Sequence, residues 1–104
     1  MQYHNFQELK KYFDEYKKCD FNLKFMKEYF SVFELKQFGL YISAIDDLLN
    51  SLSAELRFLL KKCFLDNKKE YMLKKYAKAT FYKKIAIAYS TISKYGNQFA
   101  NILH

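Results

Sequence analysis

A chain of 104 residues with 51% hydrophobic content has the material for one core, and its two glycines, absent prolines and 28% charged residues exclude collagen-like and disordered classes. The formal net charge of +7 is unevenly placed: residues 1–60 hold eight Lys/Arg against nine Asp/Glu, residues 61–84 nine against two, and residues 85–104 one against none. A surplus confined to about a quarter of a small protein points to a surface that faces a polyanion.

The apolar residues recur at three and four, and turn punctuation is scarce, so the expected fold is all-α: a single domain over residues 1–104, a bundle of about five helices. Asn5 with Glu8 three residues on reads as a capping box. Phe6, Leu9, Phe13 and Tyr16 then mark a first helix over 6–17. Asp20 or Asn22 is the expected cap of a longer second helix reaching residue 50, with Met26, Phe30, Phe33, Leu40, Ala44 and Leu48 on its inner face. Gly39 inside it costs about 1 kcal/mol against Ala. Ser53, with Glu55 in the first turn, opens a third helix whose apolar face is Leu56, Leu59, Leu60 and Cys63. Asp66 and Asn67 break the pattern before a short segment over 68–76 that buries Met72 and Leu73. After a turn at residues 77–79, the last helix starts near Thr80 and turns Phe81, Ile85, Ala88 and Ile92 inward. Gly96 ends or kinks it, and Phe99, Ile102 and Leu103 pack back as a final turn.

A short helix, a tight turn and a second helix, both edged with lysines, have the layout of a C-terminal helix-turn-helix. In such a unit the second helix enters the major groove, and Lys, Thr, Tyr and helix N-termini contact phosphates. The expected phosphate-neutralising residues are Lys68, Lys69, Lys74 and Lys75, and Lys78 falls with Thr80 at the helix N-terminus, where unsatisfied amides also favour a phosphate. Those facing the groove are Thr80, Lys83, Lys84 and Ile87, with Ser90, Thr91 and Lys94 further along the outward side. Tyr82 stays open between the core edge and a phosphate-contacting hydroxyl.

The run from Leu52 through Ser53, Ala54, Glu55, Leu56, Arg57, Phe58 and Leu59, followed by Lys78, Ala79, Thr80, Phe81, Tyr82, Lys83, Lys84 and Ala88, resembles sigma-70 region 4-like helix-turn-helix proteins, as in phage ArpU/RinA-type transcriptional regulators. The resemblance spans at most residues 52–103, and it implies that Thr80, Tyr82, Lys83 and Lys84 face DNA. Ala77 and Ala79 depart from it, standing where such families prefer hydroxyl residues, and the inter-helix turn lacks a glycine.

The expected function is therefore a DNA-binding transcriptional regulator or sigma-like factor, with double-stranded DNA as partner and RNA polymerase as a further one. The alternative is a protein-interaction module that binds RNA polymerase or another protein, without DNA specificity of its own. Residues 3–50 read as an aromatic-rich helical pair, whose Phe/Tyr stripe, in residues 6–50, belongs to a core, to a seam between copies in a homo-oligomer, or to a docked partner helix. No Ser, His and Cys assemble into a catalytic arrangement, and the adjacent Asp46 and Asp47 point different ways on a helix and read as a solvated acidic corner. Catalytic residues, metal ligands and cofactors are accordingly none. Cys19 and Cys63 lack the spacing of a disulfide framework or zinc site. With neither a leader pattern nor a run of about 18 apolar residues, a cytoplasmic location without membrane contact is expected.

Overall fold

The computed structural model describes residues 2–95, which form five α-helices with no strand among the described residues. They are α1 (Gln2–Phe25), α2 (Val32–Ser51), α3 (Ala54–Leu60), α4 (Lys69–Lys75) and α5 (Lys78–Ser93). Gly96, Phe99, Ile102 and Leu103, expected to end the last helix and pack back, lie outside the described residues.

The first helix runs well past residue 17, its expected end. Asp20 does not cap a new helix but pairs with Lys24 one turn on at 3.0 Å, inside an uninterrupted α1. The same spacing recurs upstream, where Lys10 meets Asp14 at 2.7 Å. Asn5 likewise lies within α1 rather than at its start. The chain instead breaks at residues 26–31, through a 3-10 turn at Lys27–Tyr29. There the Ser31 hydroxyl accepts from the Glu34 amide and the Glu34 carboxylate accepts from the Ser31 amide, both at 3.1 Å, a reciprocal cap that starts α2.

Moving that boundary resets the helical phase. The inner face of α2 is Tyr41, Ile45, Leu48 and Leu49, whereas Phe33 and Leu40, expected inside, are exposed. Tyr41 donates from its hydroxyl to the Tyr12 carbonyl at 2.9 Å, and Tyr16 donates to Asp46 at 2.8 Å, so α1 and α2 are pinned together. Asp46 is thus half-buried and occupied, while Asp47 is exposed.

The C-terminal half lies along the first part of α1. Ser53 caps α3 by accepting from the Leu56 amide. Beyond α3 the backbone widens into a π-helical turn at Lys61–Leu65, and Asn67 in the left-handed conformation (φ 56) ends it. The Lys68 amide then reaches back to the Lys62 carbonyl at 2.8 Å, satisfying a terminal acceptor. This turn delivers Phe64 to the rings of Phe6 (centroids 4.7 Å apart) and Phe13 (5.2 Å, stacked). Such ring pairs add roughly 0.5–1.5 kcal/mol beyond their burial. Phe81, Ile85, Ala88 and Ile92 of α5 complete the core at the expected four, three and four spacing. Cys19 and Cys63 are free and buried in it. Burial pushes both thiols up, Cys63 to about 12 and Cys19 to about 11, which makes them packing groups rather than nucleophiles.

Candidate nucleic-acid interface

The basic stretch folds into α4, a two-residue turn at Tyr76 and Ala77, and α5. Each helix is anchored by apolar residues: α4 by the fully buried Met72, α5 by its four-residue inner stripe. Those anchors set the phase of what faces outward. On α5, opposite the core, Thr80, Lys83, Ile87, Ser90 and Lys94 recur one turn apart and are all exposed. Lys68, Lys74, Lys75 and Lys78 are exposed on α4 and at the two helix starts.

α5 begins two residues earlier than expected, at Lys78, and its cap is Ala77, which has no side chain to bond the first amides. Its hydrogen-bond ladder opens with the Phe81 amide reaching the Ala77 carbonyl at 2.9 Å. The amides of the first turn are therefore left to solvent or to an anion, at the end of the helix where the macrodipole is positive.

Three residues of the expected set are engaged elsewhere. Tyr82 is 7% exposed and edges onto Phe81 at 5.0 Å, so its ring belongs to the core edge. Lys84 forms an ion pair with Glu55 of α3, and that hydrogen bond raises its pKa. Lys69 lies with its ammonium 4.3 Å from the centroid of the Phe6 ring. By contrast, no ion pair holds Lys68, Lys74, Lys75, Lys78 or Lys83 among the described residues.

Two features lie outside the sequence expectation. The lone arginine, Arg57, closes the C-terminal end of α2, donating from Nε to the Leu49 carbonyl at 3.1 Å and from its terminal nitrogen to the Leu52 carbonyl at 3.2 Å. It is therefore committed to structure. The exposed Phe58 ring carries the Lys62 ammonium at 5.5 Å and that of Lys75 at 5.1 Å, linking α3 to the end of α4. Phe58 and Lys62 stand four apart, a spacing legible in the sequence, but the approach of Lys75 is a tertiary contact.

A cavity of about 170 Å³ opens between α1 and the π-helical turn, lined by Phe6, Lys10, Asp14, Cys63, Phe64, Asn67 and Lys69. Lys10 and Asp14 neutralise each other at its rim. Among the described residues no three His, Cys, Asp or Glu side chains converge as a metal site, and no helix is long and apolar enough to cross a membrane. No family model, curated protein or solved structure matches the chain.

Proposed function

We propose that this protein is a non-enzymatic DNA-binding regulator that holds the phosphates of a duplex with α4, the turn and the first half of α5. One observation carries the reading: Lys68, Lys74, Lys75, Lys78 and Lys83 are exposed and free of ion pairs within a segment of nine lysines against two acids. Thr80, Lys83 and Ile87 form the outward stripe that would enter the groove, and the open amides at the start of α5 suit a phosphate. The resemblance to sigma region 4-like regulators, with its implied link to RNA polymerase, points the same way.

With Arg57 committed to α2, the site lacks the guanidinium that most often reads guanine through two hydrogen bonds. The contribution of this chain is accordingly phosphate contact, with sequence choice supplied by a partner such as the polymerase. The exposed Ile87 on the same face favours a second reading, in which the face docks a protein.

Fluorescence anisotropy of a short labelled duplex, titrated at several salt concentrations, separates the two. Neutralising five phosphates gives a slope of log affinity against log salt of about −4.5. Binding that ignores salt, or no duplex binding at low salt, refutes the DNA reading.

A further inference from the structure

The aromatic residues that α2 fails to bury are concentrated at one end of the molecule. Contacts of α3 to α5 with α1 are made along its first two thirds: Tyr89 lies edge-on to His4, Phe64 between Phe6 and Phe13, and Asn67 accepts from Lys17. Beyond Lys17, no hydrogen bond, ion pair or ring contact among the described residues ties α1 to these elements. The last two turns of α1, the 3-10 turn and the start of α2 therefore project as a helical hairpin end. Phe21 lies about 26 Å along α1 from His4, at 1.5 Å per residue, so the last turns of α5 are at the opposite end.

This projecting end carries Phe21, Phe25 (65% exposed), Tyr29, Val32 (85%) and Phe33 (68%), half of the ten large hydrophobic residues exposed among the described residues. Phe21 and Phe25 pack together one turn apart, with ring centroids 5.1 Å apart. Phe30 is held inward by its edge contact with Phe38 at 5.0 Å, which fixes the turn beneath the exposed rings.

We infer that this hairpin end is the interface with a second copy of the same chain. Two arguments select that occupant. The first is area: the five side chains expose roughly 600 Å² together, close to the ~800 Å² that each partner gives to a standard interface. The second is charge. Residues 18–36 hold four lysines against Asp20, Glu28 and Glu34, close to neutral, whereas residues 61–84 hold nine against two. The hairpin end is thus neither repelled by its own copy nor selected by a polyanion or a strongly acidic partner. Both signs stand among the apolar residues, with Asp20 paired to Lys24 inside each copy, so the end brings little net charge onto a two-fold axis. Two hairpin ends meeting in this way make a four-helix contact and leave the lysine-rich faces of both copies uncovered.

Sedimentation velocity of the full chain at 0.5 M salt, after nuclease treatment, tests this without nucleic acid. The expected result is a reversible shift toward twice the chain mass as concentration rises through the micromolar range. The double variant Phe25→Glu, Phe33→Glu is expected to stay monomeric over the same range, with an unchanged circular dichroism melt, because neither ring is in the core. A wild-type chain that remains monomeric overturns the inference. So does a dimer that survives the double variant, which would locate the interface elsewhere. If the variant fails to melt cooperatively, the milder Phe25→Ser, Phe33→Ser replaces it, with the same two refuting outcomes.

Discussion

Removing Lys78 and Lys83 together tests the proposed interface most sharply, because Lys84 supplies an internal control. Lys78 and Lys83 are exposed without an ion pair, whereas Lys84, the next residue, spends its charge on Glu55. If five lysines each neutralise one phosphate, affinity for a duplex falls about 500-fold between 50 and 200 mM salt, from a slope of about −4.5. The variant Lys78→Ala, Lys83→Ala retains three such lysines, so the slope drops to about −2.7 and the same salt change weakens binding only about 40-fold. Lys84→Ala keeps the wild-type slope. Substitutions at exposed positions away from caps and networks stay within about 0.5 kcal/mol in stability, so lost binding cannot be assigned to unfolding. Anisotropy titrations at four salt concentrations give each slope. An unchanged slope in the double variant, or an equal drop in Lys84→Ala, refutes the assignment of the phosphate contacts to these side chains.

Three further outcomes follow from local structure. A Cβ at Gly39 meets nothing within 4 Å, so Gly39→Ala relieves a helix-interior glycine without a clash and stabilises by about 0.5–1 kcal/mol, read as a higher thermal midpoint. Ser31→Ala removes the hydroxyl half of the cap on α2 and lowers stability by about 1 kcal/mol in urea titration; no change would mean that the break at residues 26–31 is held by packing alone. Cys19, Cys63 and Tyr16 all have raised pKa values, first through burial, so the fold favours their neutral forms. The unfolded chain binds fewer protons once pH passes the ordinary thiol value of 9.0, so this stability is intact below that pH and declines as pH rises toward the folded values of about 11 to 12. Urea midpoints at pH 8 and pH 10 check the sign.

What local pattern can express was legible, and what depends on choosing a boundary was not. The inner stripe of α5 and the Ser53 cap follow from spacing and residue type, because four apolar residues spaced four, three and four apart share one helical face. The α1/α2 boundary lies at residues 26–31 and not near Asp20, because two caps compete for it. Asp20 has the chemistry of a cap, yet four residues before Lys24 it also contributes inside a helix, while the Ser31 and Glu34 side chains each bond the other's amide only where they stand. That one boundary decides which aromatics are buried, since merging the two helices carries the phase of Met26 and Phe30 into Phe33 and Leu40. The aromatic wealth of the first fifty residues therefore divides into a core set and an exposed set only after the hairpin is drawn.

The lysines follow a different logic. Lys68, Lys74, Lys75, Lys78 and Lys83 are each exposed in the stretch where the sequence clusters them. Clustering could not predict which are already occupied: Glu55 reaches Lys84 across 29 residues, and the Phe6 ring lies under Lys69 only because α1 packs against the π-helical turn and α5. A charge surplus counted in sequence is thus an upper bound on what an anion meets. Here the fold spends Lys84 on an ion pair, sets Lys69 and Lys75 against aromatic rings, and leaves the turn between α4 and α5, with its uncapped amides, as the place where the remaining charge and the helix dipole coincide.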